Sequence, residues 1–161
     1  MKKLVFIFLA MIIGQTTSFA ANIIEGKVVG VADGDTITVL DASKAQHRIR
    51  LVGIDAPEKA QAFGERSKQA LSKMVYGKQV TVLWDKKDRY DRVLGKVLAD
   101  WGDVNLAQVE DGMAWHYKRY MNDQSIKDQL AYDDAEQTAR RLKKGLWADA
   151  NPTPPWDWRR R

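Results

Sequence analysis

The stretch that most constrains this chain is "IIEGKVVGVADGDTITVL", two runs of alternating apolar residues separated by Asp-Gly. A period of two places apolar side chains on one face of an extended strand. Gly, and less readily Asp, tolerate the positive φ that tight hairpin turns require. Residues 22–31 and 36–41 are therefore expected to pair as a hairpin around Asp33 and Gly34. A turn has no use for the further carboxylate of Asp35 at the mouth of the next strand, where it adds repulsion and lowers β-propensity. Asp35 is thus the first residue that asks for a partner beyond the backbone.

The same patterns organise the rest of the chain. "HRIRLVGI" at 47–54 reads as a third strand, and "QVTVLWD" at 79–85 and "RVLGKVLA" at 92–99 as a fourth and fifth, with polar residues 86–91 between them. From Ala62 to Tyr76 the apolar positions Phe63, Ala70, Leu71, Met74 and Val75 follow helical spacing, and Gly77 is a plausible stop. Asp103 can cap a short helix running through Val109 and ended by Gly112. A longer helix is expected from about Ser125 to Lys144, with Ile126, Leu130, Ala131, Ala135, Thr138, Ala139 and Leu142 on one stripe and Gly145 as its stop. Five short strands, a helix inserted after the third and two helices at the end predict an α+β chain, a small barrel with helices packed on it.

Residues 1–20 are read as a cleaved leader. Lys2 and Lys3 precede an unbroken apolar run from Leu4 to Ile13, and Ser18-Phe19-Ala20 ends in a small-x-small pattern. The run is too short to span a bilayer. Export to a periplasm or the medium is expected, with the short signal favouring the periplasm, and no membrane association after cleavage. Residues 21–148 are expected to form one domain, and "NPTPPWDWRRR", with its three prolines, an extended and frayed basic arm over 149–161. The chain has no Cys, which excludes disulfides, thiolate zinc sites and cysteine nucleophiles, and its two His, His47 and His116, cannot build a His-rich metal site. Metal chemistry must then use oxygen. Without Lys2 and Lys3 the balance is 24 basic against 21 acidic residues, a mild positive charge that agrees with a polyanion partner without demanding one.

Two further blocks supply charged groups at strand ends, where barrels present side chains to ligands. "RIRLVGIDAPE" carries Arg50, Asp55 and Glu58, and "DRYDRVLG" carries Tyr90 and Arg92. Carboxylates suit hard cations, and planar guanidinium forks suit phosphodiesters. Arg50 and Asp55 are five apart and would face opposite ways on a regular strand, so bringing them together requires a bulge or bend, for which Gly53 is placed. Pro57 then ends the ladder and carries Glu58 round beside Asp55.

Taken together, "DGDT", "RIRLVGIDAPE" and "DRYDRVLG" resemble, in order and separation, the signature blocks of the thermonuclease family, typified by staphylococcal nuclease. The resemblance spans roughly residues 22–147. It implies a five-stranded OB-fold barrel with three helices and a Ca2+-dependent phosphodiesterase acting on DNA and RNA, breaking at the 5′-oxygen to leave 3′-phosphate ends. Position by position it implies Asp35 and Asp55 as the calcium carboxylates and the backbone carbonyl of Ala56 as a third ligand, where the type member has Thr. Glu58 matches the general base, Arg50 and Arg92 the arginines on the scissile phosphate, and Tyr90 a nucleotide-contacting tyrosine. Tyr120 is a further substrate-binding candidate because the type member has tyrosines in that region. No stable protein partner is expected, and a monomer. The competing reading is a non-catalytic OB-fold that binds single-stranded nucleic acid, which needs aromatic platforms and a basic groove but not three acids and two arginines together. A calcium-binding structural module would lack the paired arginines.

Overall fold

The computed structural model describes residues 22–161, so the expected leader lies outside the described residues. Five strands, β1 (Asn22–Asp33), β2 (Thr36–Asp41), β3 (Gln46–Leu51), β4 (Gln79–Lys87) and β5 (Val93–Ala99), are ordered β3-β2-β1-β4-β5. Parallel pairing of β3 with β5, Ile49 against Val93 through Leu51 against Gly95, closes the barrel and leaves no free edge between them. The long β1 serves two neighbours, pairing its first half with β4 and its second with β2, and both registers meet at Gly26. A Cβ there would lie 2.3 Å from the Leu40 carbonyl oxygen, so only glycine allows the crossing. The interior is packed with β-branched side chains, among them Val28, Ile37, Val39, Ile49, Val82 and Val97, all fully buried.

Three helices cover the barrel: α1 (Gly64–Val75), α2 (Val104–Glu110) and α3 (Ile126–Arg141). Each expected helix is present. The Asp103 side chain accepts from the Leu106 N–H and the Ser125 side chain from the Asp128 N–H, as their cap positions require. None is long and apolar enough to cross a membrane. α2 is short but carries two fully buried amides. Asn105 accepts from Val97 N–H and donates to the carbonyls of Val52 and Gly95, joining the two sides of the β3–β5 seam. Gln108 donates to the carbonyls of Gly34 (2.6 Å) and Ser67 (3.2 Å), tying the β1–β2 turn to α1.

Three departures from sequence expectation in the barrel and its helices are each decided by packing. The residues of the β1–β2 turn are Gly34 and Asp35, flanked by the pair Asp33 and Thr36, and neither has positive φ. Gly34 is needed for close approach instead: a Cβ would stand 1.8 Å from Ser67 Oγ and 2.7 Å from Ala56 Cβ. Gly34→Ala is accordingly expected to lower the unfolding free energy by about 1–3 kcal/mol, the usual range for forced overpacking. An unchanged urea midpoint would show that α1 yields without penalty.

The third strand stops at Leu51 rather than continuing to Ile54. Gly53 turns the chain with φ +77°, and Ile54–Asp55 starts a separate two-residue ladder with Trp115–His116. The bend expected at Gly53 is therefore a full turn.

Finally, α3 buries Tyr132, Ala135, Glu136 and Ala139, while Ile126, Leu130 and Leu142 of the expected stripe are exposed. Tyr132 sets that face by donating its hydroxyl to the Asp103 carboxylate at 2.9 Å, a contact no helical period announces. Behind it, Trp115, Ala139, Leu146 and Trp147 form a second apolar cluster against which Phe63 and Trp156 pack.

Candidate active site

Asp35, Arg50, Asp55, Ala56, Glu58 and Arg92 all line one open cavity of about 650 Å³, and Tyr90 and Tyr120 line it as well. The fold supplies them from four directions. Asp35 is the second residue of the β1–β2 turn, fixed on its backbone by donating to Asp33 Oδ1 and accepting from the Leu51 N–H. Arg50 stands on β3 opposite Thr36. Asp55 follows the Gly53 turn, which is pinned by Tyr117 N–H donating to the Gly53 carbonyl at 2.8 Å. Glu58 sits in the loop entering α1, where Gln61 accepts from its N–H and Gly64 packs so closely that a Cβ would be 2.0 Å from the Glu58 carbonyl oxygen.

The centre is built of buried charge. Asp55 is fully buried and Asp35 is 5% exposed. Asp35 Oδ1 accepts from the Thr36 hydroxyl (3.1 Å) and Oδ2 from the Ala56 N–H (2.7 Å). Arg50 lies between the two acids, donating from Nη2 to Asp55 Oδ1 at 2.7 Å and facing Asp35 Oδ2 with Nη1 as an ion contact without hydrogen-bond alignment. Burial lowers the Arg50 pKa, opposed by the Asp55 carboxylate and reinforced by the nearby Arg92. Two carboxylates out of water survive only with such compensation.

Arg92 is held at the rim. Its Nε donates to Asp88 Oδ2 at 2.8 Å, and Asp88 Oδ1 also accepts from the N–H groups of Tyr90 and Arg92, so one carboxylate organises the whole 88–92 loop. Burial opposes the ionised form of Asp88, but these hydrogen bonds win and hold its carboxyl below the usual range. Tyr90 is 63% exposed with the Arg89 and Arg92 guanidinium groups over its ring at 4.9 and 5.6 Å, and Tyr120 is 49% exposed, edge-on to Tyr117 at 5.0 Å. Both rings are exposed at the cavity, where a stacking contact to a base would compete with the guanidinium groups over them, Arg119 lying over Tyr120 at 5.9 Å.

Sequence reasoning missed several participants. Asp88 is not among the expected site residues but is the loop's anchor. Gln61 and Gln108 carry no motif signal, because a buried amide is defined by the carbonyl it meets. The largest omission is Arg159. The tail is not a frayed arm: Pro155–Trp158 forms a helical turn, α4, Pro155 is buried, Gln61 Nε2 donates to the Thr153 carbonyl, and Trp156 stacks on Tyr117 at 5.2 Å and 6°. Arg159 then reaches Asp55 Oδ2 at 2.8 Å, Asp55 Oδ1 at 3.2 Å and Glu58 Oε1 at 2.7 Å. Hydrogen bonds to Asp55 and Glu58 hold its proton more tightly than usual despite partial burial. The one sequence signal was the basic run after "PPWDW".

The donor set suits a hard cation. Asp35 and Asp55 offer carboxylate oxygens only, and their negative charge is at present balanced by guanidinium groups. Among the described residues no three acidic or imidazole side chains converge on one point, so a cation here would complete its shell with backbone carbonyl and water.

The sequence profile of the family described as "Staphylococcal nuclease homologue" matches residues 48–149. A protein from Escherichia coli named as an uncharacterized endonuclease is 48% identical over 139 residues, covering 86% of each chain. A similarly named protein of Haemophilus influenzae is 45% identical over 134 residues, 83% of this chain and 72% of its own. The micrococcal nuclease of Shigella flexneri is 41% identical over 144 residues, 84% of this chain and 80% of its own.

Proposed function

Because this chain belongs to the staphylococcal nuclease family, we propose that it is a nuclease that hydrolyses phosphodiester bonds of DNA and RNA with Ca2+ as its cofactor, with little base specificity and 3′-phosphate products. The observation that carries the reading is the convergence of two buried carboxylates, the arginine between them, a half-exposed glutamate and a second arginine on one cavity. A binding module has no use for carboxylates held out of water against arginine, and a structural cation site has no use for the arginines.

In this reading Asp35, Asp55 and the Ala56 carbonyl hold the cation, which when bound acts as a Lewis acid on the phosphoryl oxygen and orients the water. The remaining steps belong to the protein's own groups. Glu58, in its pinned loop, accepts the proton of the attacking water. Arg50 and Arg92 bind the phosphate oxygens and the negative charge that grows on them, in a site where burial strengthens each contact. Tyr90 and Tyr120 offer faces on which adjoining bases stack, a contact indifferent to sequence. The leader at residues 1–20 would export the chain, favouring a periplasm, where calcium is plentiful enough for a weak site.

Digestion of plasmid DNA by the mature chain in Ca2+, in Mg2+ and in excess chelator tests the proposal. Cleavage that requires Ca2+ supports it, and a folded protein that retards DNA without cutting it would replace it with the binding-module reading. Asp35→Asn, which keeps shape and removes a ligand charge, is expected to raise the Ca2+ concentration for half activity about tenfold or more. An unmoved calcium curve would remove Asp35 from the ligand set.

A further inference from the structure

The Arg159 guanidinium occupies both oxygens of Asp55, the most buried acid of the site, and at the same time the side chain of Glu58. Nothing local requires this. Arg159 is 104 residues from Asp55 in sequence, and it arrives there because the segment before it is docked. Trp156 is stacked on Tyr117 and edge-on to Trp115 at 5.5 Å, and Pro155 is buried. Thr153 is held by Gln61, whose neighbour in the chain, Ala62, lies three residues before α1's second position, so the strap is fastened to the same loop that carries Glu58.

Resting on the metal reading above, we propose that Arg159 sets the affinity of this site for its divalent cation, by acting as an exchangeable internal cation on Asp55 and Glu58. Arg50 takes only Oδ1 of Asp55 whereas Arg159 takes Oδ2, so a divalent ion that binds Oδ2 displaces Arg159 and leaves Arg50 in place. Arg50 is the fixed partner, since its side chain is 13% exposed on a barrel strand. Arg159 is the removable one, its side chain 41% exposed. When the divalent ion binds, Arg159 releases Asp55 and Glu58, and the release free energy is subtracted from the binding free energy of the ion. The apparent dissociation constant is the intrinsic one divided by the fraction of molecules with Arg159 released. Pairing with Arg159 in the meantime keeps three neighbouring acids from repelling one another with a single buried arginine among them.

The experiment is calorimetric titration of the mature chain with CaCl2 in the absence of nucleic acid, comparing wild type, Arg159→Gln and Arg160→Gln. Among the described residues the Arg160 guanidinium pairs with Asp157 and with neither Asp55 nor Glu58, so its variant removes the same charge from the same segment without breaking a contact to the site's acids. Arg159→Gln is expected to lower the half-saturating Ca2+ concentration about tenfold, and Arg160→Gln by less than about twofold. Trp156→Ala, which keeps Arg159 and loosens the strap, is expected to move the titration the same way as Arg159→Gln. Equal shifts in the two arginine variants would reduce the effect to general charge and overturn the proposal. Unchanged or weaker Ca2+ binding in Arg159→Gln would overturn it too, the latter making Arg159 a support of the site. Wild-type digestion in Ca2+ separates the two readings: cleavage with no shift in Arg159→Gln defeats this inference alone, and absence of both cleavage and Ca2+ binding defeats the metal reading with it.

Discussion

Glu58→Gln is expected to lower turnover at least about 100-fold, the usual consequence of losing a general base, with the substrate KM nearly unchanged. Glutamine keeps the shape and can still orient water, but it cannot take a proton at neutral pH. The change is also unusually clean for an active-site substitution. The Glu58 side chain is 39% exposed and its ion partner, Arg159, is 41% exposed. An ion pair so open to solvent contributes about 0–1 kcal/mol to folding, and the backbone contacts with Gln61 remain. A variant with the wild-type urea midpoint and near-normal turnover would show that Glu58 is not the base. A loss of turnover accompanied by unfolding would mean that the loop depends on the charge more than its exposure allows.

Arg50→Met is expected to have the largest combined effect. Arg50 is the one cation buried between Asp35 and Asp55, so methionine of similar length leaves two acids facing each other with only Arg159 to compensate. Removing one partner of a buried ion pair typically lowers stability by about 3–5 kcal/mol. Activity should fall at least about 1000-fold, as when an arginine that stabilises transferring phosphoryl charge is removed. The two losses respond differently to calcium. A cation that binds only the folded state returns about 2.7 kcal/mol at a concentration 100 times its dissociation constant, so added Ca2+ should recover part of the stability and none of the activity. Urea denaturation with and without CaCl2, beside a turnover assay, reads both. A midpoint equal to wild type would mean that the acids do not depend on Arg50, and activity restored by Ca2+ would confine Arg50 to a structural role.

The two variants also distinguish what each acid contributes. The Glu58 side chain is 39% exposed, so water or substrate can replace its partner, and the chemistry assigned to it needs that access. Asp35 and Asp55 are rigid, buried and multiply bonded, which keeps a ligand pair in place before any cation arrives and avoids reorganisation on binding. Asp88 performs the same service at the rim of the cavity, presenting Arg92.

What the sequence determined by itself is everything that depends on neighbours a few residues apart. The alternation of residues 22–41, the caps at Asp103 and Ser125 and the stops at Gly77 and Gly112 are local rules, and the strands and helices follow them closely, whereas α3 ends at Arg141, ahead of the stop expected at Gly145, with Lys143 in the left-handed region. The acids and arginines were legible because three short blocks carry them in a fixed order, and the barrel brings all of them to one cavity. Tertiary structure alone decided the rest. Gly34 is required by Ser67 and Ala56 rather than by its own φ, and α3 buries Ala135 and Ala139 of the expected stripe together with Tyr132, which reaches Asp103, while it leaves the stripe's Ile126, Leu130 and Leu142 exposed. Above all, Arg159 reaches Asp55 and Glu58 because Trp156 finds Tyr117 and Gln61 finds Thr153. Those contacts join segments separated by many tens of residues, and their free energy comes from removing particular surfaces from water together. A local pattern can announce a strand or a cap, but it cannot announce which distant surface will be there to receive a side chain.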